Sequence, residues 1–155
     1  MTRTTKNLAF TLVEVLIVVV VMAVLAAVVV PQFSLATDDA TRSTAEFNLS
    51  SMRTIIASYK AQHNGVNPVH DSTAKSLTVL LNKTKVDGAI DAAAGNFGPY
   101  LLSFPENPYT GLTDVKSITN DPPKSTDVTA SNAGGWLYNT TAGKIWLDSN
   151  PGYAY

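Results

Sequence analysis

A single carboxylate, Glu14, stands at the head of an apolar run: Val15 to Val30 holds no charged residue, and no Lys or Arg lies between Lys6 and Arg42. An acidic group well inside a bilayer costs on the order of 3 kcal/mol on insertion scales, so a carboxylate kept there needs a cationic partner. The same helix offers none. Glu14 therefore points to an ion pair with another chain or with a newly made amino terminus. Other chemistry-bearing residues are sparse. With no cysteine, disulfides, thiolate nucleophiles and cysteine-ligated zinc or iron–sulfur sites are excluded. His63 and His70 are the only histidines, too few for a metal site without a third ligand. No G-x-S-x-G elbow is present to activate a serine. Asp114, Asp121 and Asp127 flank one loop and are the candidates for a hard cation such as calcium. The expectation for them is a solvated acidic loop, with no cofactor bound. Asn48-Leu-Ser, Asn82-Lys-Thr and Asn139-Thr-Thr match the glycosylation acceptor pattern, a match common by chance.

The elements that must position these residues follow from an uneven composition. The chain has 155 residues, 45% apolar and 15% charged, with 11 basic against 12 acidic side chains. Twenty apolar residues fall in the 24 positions from Phe10 to Phe33. The 21 residues from Phe10 to Val30 give roughly 31 Å of helix, the thickness of a bilayer hydrocarbon core. Arg3, Lys6 and the amino terminus precede that run and are expected to stay cytoplasmic, which places the rest of the chain across the inner membrane. A net charge of -1 offers no basic footprint, so no nucleic-acid partner is expected.

Three readings of this start compete: an ordinary signal peptide, a plain transmembrane anchor, or a more specialised segment. A signal-peptide core is about 7 to 15 residues long and ends at a small-x-small site, whereas this run continues undiminished through Val28 to Val30. A plain anchor has no use for Glu14. Pro31 removes a backbone donor and is expected to kink or locally loosen the helix without ending it. Beyond it, Ala45, Leu49, Met52, Ile56 and Tyr59 form a narrow apolar stripe on a helix running to about Gln62, stopped by Asn64-Gly65. The stripe reads as a face covered by the chain's own C-terminal part, with Phe47 and Ile55 at an edge that a neighbouring subunit can share. Further along, a short helix is expected from Ser72, as its cap, to about Asn82. The segment from Val86 to Gly98 reads as a mobile connection, Val115 to Ile118 as a strand, Thr119 to Asn132 as a polar loop, and Gly134 to Leu147 as a hairpin turning at Asn139 to Gly143.

Leu8-Ala9-Phe10-Thr11-Leu12-Val13-Glu14-Val15-Leu16-Ile17 resembles the processing and assembly signature of type IV pilins and of the pseudopilins of type II secretion. The resemblance implies that a prepilin peptidase cuts between Ala9 and Phe10 and methylates the new amino group of Phe10. It also implies that Glu14, then fifth in the chain, pairs with the amino terminus of a neighbouring subunit, and that Pro31 takes the place of the family's helix-loosening proline. Ala9 stands where the family usually has glycine. A proline-rich loop, Gly98-Pro-Tyr-Leu to Asn107-Pro-Tyr-Thr-Gly111, and a terminal Gly135-Trp-Leu-Tyr-Asn to Gly143-Lys-Ile-Trp146 hairpin resemble heads of major type II pseudopilins. The family's head is α+β: a long helix packed on a small antiparallel sheet. The implied division is a leader at 1–9, a membrane or filament-core helix at 10–32, its amphipathic half at 33–63 and a periplasmic head at 64–155. The implied partners are copies of the chain, other pseudopilins, the peptidase, an inner-membrane assembly platform and, before assembly, lipid. The role is structural, without enzymatic activity. A surface type IV pilus subunit for adhesion, motility or DNA uptake is the alternative, and a membrane-anchored periplasmic enzyme or binding protein the second. Cleavage leaves nine basic and twelve acidic side chains, a mildly acidic subunit.

Overall fold

A computed structural model describes residues 10–150, with backbone alone at 30–35 and 132. Ala9 lies outside the described residues. The first element, α1, runs Leu12–Gln62, 51 residues, and does not end at Pro31. Contacts divide the chain into two units, one ending at Ala40 and one beginning at Thr41. In the first unit Leu12–Val29 is long and apolar enough to cross a membrane, and none of it is buried against other parts of the chain.

In the second unit the expected stripe is buried: Ala45, Leu49, Met52, Ile56 and Tyr59 are each no more than 3% exposed. Their 4, 3, 4, 3 spacing keeps them on one side of a 3.6-residue helix, which is why they can share one core. Arg42 and Glu46 pair on the exposed side at 3.0 Å, one helical turn apart. The helix stops where Asn64 and Gly65 take left-handed backbone angles, φ 53° and 84°, with the Gly65 N–H bonded back to the Lys60 carbonyl.

The sheet has three short strands, β1 Val115–Ser117, β2 Trp136–Asn139 and β3 Lys144–Leu147, in the order β1-β2-β3. β2 and β3 form the expected antiparallel hairpin, with Trp136 opposite Leu147 and Tyr138 opposite Ile145. β1 lies parallel to β2, Val115 opposite Trp136, so the sheet is mixed. Strand alternation sends Trp136 and Tyr138 into one cluster with the α1 stripe, Leu77, Leu80, Phe104, Ile145 and Leu147. Leu137 and Trp146 face the other way and pack with Ile118 and Val128. The α+β class is as expected.

Two connections differ from expectation. The helix expected from Ser72 is only α2, Thr78–Leu81, with Leu77 at its N-terminal boundary. Ahead of it, the Asp71 carboxylate accepts the N–H groups of Thr73 and Ala74, and Asp71 bridges Ser76. Backbone bonds in both directions between Asp71 and Ser76 close the four residues between them into a turn, so the helix begins only beyond it. The stretch read as a mobile connection is laced to buried Thr84, which bridges both Ile90 and Phe97. Inside it Asp91 pairs with Lys85 at 2.8 Å and accepts the Ala93 and Ala94 N–H groups.

Those donors, the Lys85 ammonium first and then the two amides, hold the Asp91 carboxyl down from 3.8 to about 2. Because the folded value is the lower one, its contribution to stability is complete above about pH 4 and is lost as the pH falls toward 2. A carboxyl-carbon NMR titration of the chain in detergent micelles is expected to give a midpoint near 2 for Asp91. A midpoint near 4 would show the lacing absent.

Candidate functional site

Glu14 sits in the first turn of α1. Its carboxylate accepts the Thr11 N–H at 2.8 Å and the Thr11 hydroxyl at 2.9 Å, while the Glu14 N–H donates to Thr11 Oγ at 3.2 Å. This is a reciprocal capping box: Thr11 precedes the helix, Glu14 is three residues on, and each serves an amide that no helical carbonyl can reach. The Thr11-x-x-Glu14 spacing before an apolar run is the sequence signal of this box. The box gives Glu14 neutral donors. It supplies no cation.

Around it, fifteen large apolar side chains from Phe10 to Val29 are 42–85% exposed. Phe10, Glu14, Val15, Ile17 and Val18 line an open apolar depression beside the carboxylate. A soluble monomer rarely leaves so long an apolar surface uncovered, so lipid or other protein must cover it. A single N-terminal apolar helix of this kind fits membrane anchoring. Of the other residues expected to serve processing and assembly, Phe10 is the first described residue and 85% exposed, and Pro31 lies within α1.

The three loop aspartates are not brought together. Asp114 accepts the Gly135 N–H at 3.0 Å, Asp121 pairs with Lys144 at 2.9 Å, and Asp127 accepts the Asn120 amide and the Lys124 N–H. The Lys124 amide, as the strongest influence, lowers the Asp127 carboxyl below its ordinary value. Each carboxylate has partners of its own, and among the described residues no group of three or more His, Cys, Asp or Glu is placed to hold a metal ion.

The histidines serve the fold too. His63 is fully buried, stacked on Tyr59 at 3.8 Å, with Nδ1 at 2.7 Å from the Tyr59 carbonyl and Nε2 at 2.9 Å from the Thr84 hydroxyl. His70 Nε2 lies 2.7 Å from the Val115 carbonyl. Ser72 and Lys75 have the S-x-x-K spacing of a serine and its base. They stand exposed on a turn, where neither side chain is desolvated, so the burial that activates such a lysine is not built there. Asn139 of the third glycosylation match is buried, its amide donating to the Thr119 and Asn120 carbonyls.

The proline-rich loop and the hairpin meet at Asn107. Its fully buried amide donates to the Gly135 carbonyl at 2.8 Å and accepts the Tyr109 N–H, while the Thr110 hydroxyl donates to the Gly134 carbonyl. Trp136 Nε1 donates to the Pro105 carbonyl at 2.9 Å. Gly134 is required where it stands, because a Cβ there would fall 1.9 Å from Asp148 Oδ2.

Residues 4–30 match the family model of the prokaryotic N-terminal methylation motif. No curated protein and no solved structure matches the chain. The motif supports a type IV pilin-like prepilin, a family of structural rather than enzymatic proteins.

Proposed function

We propose that this chain, which carries an N-terminal methylation motif, is a pseudopilin: a structural subunit of the pilus-like filament of a type II protein secretion system. The single observation that carries the reading is Glu14, a carboxylate at the head of a wholly exposed apolar helix, inside that motif. Prepilin peptidase cuts between Ala9 and Phe10, and Phe10 becomes the N-methylated first residue. Arg3 and Lys6 hold the leader on the cytoplasmic side of the inner membrane, and the head stands in the periplasm.

In lipid, Thr11 gives the Glu14 carboxylate two neutral donors. The freed amino group of Phe10 is a cation at neutral pH, methylated or not. When a neighbouring subunit presents that amine, Glu14 exchanges neutral donors for a charge in a medium of low dielectric, where the attraction is strongest. Insertion thus leaves an electrostatic deficit that polymerisation relieves. The fifteen exposed apolar side chains then pass from lipid to the flanks of other copies. The partners of this cycle are copies of the chain, other pseudopilins, the peptidase and an inner-membrane assembly platform. No cofactor or nucleic acid takes part.

What favours secretion over a surface pilus is the head: the loop and the hairpin that resemble major pseudopilins clasp each other through Asn107 and Trp136. The test is to overproduce the full chain in its own cells and also to delete it. Filaments containing the chain, together with exoproteins retained in the periplasm of the deletion strain, are expected. Loss of surface pili with normal export would replace this reading with the pilus alternative. An anchored monomer that keeps its leader and forms no filament would replace both with the anchored enzyme or binding protein.

A further inference from the structure

β1 is an outer strand of the sheet, so one row of its backbone groups turns away from β2. The Trp136 N–H donates to the Asp114 carbonyl and the Ile118 N–H to the Tyr138 carbonyl, which fixes the alternation: Asp114, Lys116 and Ile118 face β2, whereas Val115 and Ser117 face outward. At Val115 both outward groups are taken. Its N–H donates to the Lys75 carbonyl at 2.7 Å, and its carbonyl accepts from His70 Nε2 at 2.7 Å. Both caps come from one short segment, closed on itself where Asp71 bridges Ser76. Within it Lys75 holds φ 47°, left-handed backbone that a glycine adopts freely and a residue with a Cβ does not. The strained residue is the one whose carbonyl caps the strand. Past Val115 the cover ends: an open depression lies there, lined by His70, Lys75, Asp114 and β1, and the outward N–H and carbonyl of Ser117 have no partner among the described residues.

We propose that residues 70–76 form a strap that guards the open edge of the sheet against strand addition by the same edge of a second copy. An unpaired edge is a template for another strand, and two identical edges complement each other antiparallel about a two-fold axis. β1 is three residues long, Val115 to Ser117, so the pairing that uses its whole length is centred on Lys116. In that register Val115 of each copy lies opposite Ser117 of the other, and each such pair exchanges two hydrogen bonds. Four bonds form if Val115 is free, and none while the strap holds it. The backbone strain at Lys75 is thus the cost of a specificity device, of the kind that blunts sheet edges elsewhere. The guard acts within each single chain and needs no filament.

The chain has no cysteine, so Ser117→Cys reports on this edge alone. The full-length chain carrying it, in detergent micelles with a short bismaleimide, is expected to stay monomeric. Adding Lys75→Val, a β-branched side chain that left-handed backbone accepts poorly, is expected to speed hydrogen exchange of the Val115 amide about tenfold and to give crosslinked dimers. Lys75→Gly relieves the strain, so it is expected to slow that exchange severalfold and to give no dimer. His70→Ala uncaps only the Val115 carbonyl and leaves Lys75 in place, and dimers are expected from it too, in smaller yield. Ser103→Cys, exposed and outside the sheet, counts encounters that do not involve β1. Val115 exchange at one rate in the valine and glycine variants would overturn the strap. Dimers no more abundant from Ser117→Cys than from Ser103→Cys, in both Lys75→Val and His70→Ala, would overturn the guard.

Discussion

Replacing Glu14 with Ala is expected to leave membrane insertion and cleavage intact and to lower filament yield about a hundredfold. Removing one partner of a buried charge pair costs about 3 to 5 kcal/mol, because the other charge stays buried alone, and about 3 kcal/mol is two powers of ten in an association constant. Insertion should improve slightly, since the same change removes the cost of an acid near the bilayer. Glu14 makes the bond back to the Thr11 N–H in this structure and carries the charge proposed to pair, and the alanine variant removes both. Glu14→Gln separates them. Glutamine serves a capping box as glutamate does, but carries no charge. If the charge drives assembly, glutamine is as defective as alanine. Normal filament yield from Glu14→Gln, scored by sheared or crosslinked polymer per cell, would leave the helix cap as the only role of Glu14 and would sink the pairing.

Trp136→Ala is expected to be the most destabilising single change in the second unit. Trp136 is fully buried between the α1 stripe and Phe104, whose ring meets it edge-on at 6.3 Å, and its Nε1 is the donor to the Pro105 carbonyl. Tryptophan-to-alanine changes in a core cost about 3 to 5 kcal/mol, against roughly 5 to 15 kcal/mol of total stability for a domain. For a unit of this size that lowers Tm by about 15 °C or more. Trp136→Phe keeps much of the ring and orphans the Pro105 carbonyl, a loss of about 1 to 3 kcal/mol. Thermal melting of the full chain in micelles should therefore order the variants alanine, phenylalanine, tryptophan from least to most stable. Equal loss from both substitutions would make the hydrogen bond, not the packing, the larger contribution.

Long-range regularity was legible in advance, and local competition was not. The α1 stripe announces itself because five apolar residues recur at helical spacing on a polar background, and each of them is buried. The hairpin is equally plain, since Gly143, with φ 67°, marks the turn between two apolar runs that pair in register. Between Ser72 and Asn82 the leucines suggested a helix of three turns. Backbone pairing of Asp71 with Ser76 closes a turn instead, and only four residues are helical. From Val86 to Gly98, alanines and glycines suggested slack chain, yet Thr84 is a hub that no periodicity reveals. In the site itself, the span and the charge of Glu14 were legible because a carboxylate at the head of an apolar run is a chemical demand. Asn107 was not, because a lone polar residue in a proline-rich loop gives no sign that its amide will be buried against the backbone of another segment.

If the apolar helix is released from a leader and made ready for polymerisation by a new amino terminus, the mature chain begins at Phe10. Mass spectrometry of the N-terminal peptide of the chain isolated from its own cells tests this most directly. A peptide beginning at Phe10 and heavier by one methyl group on its amine is expected. A peptide that still begins at Met1, or one cut elsewhere with an unmodified amine, would contradict it.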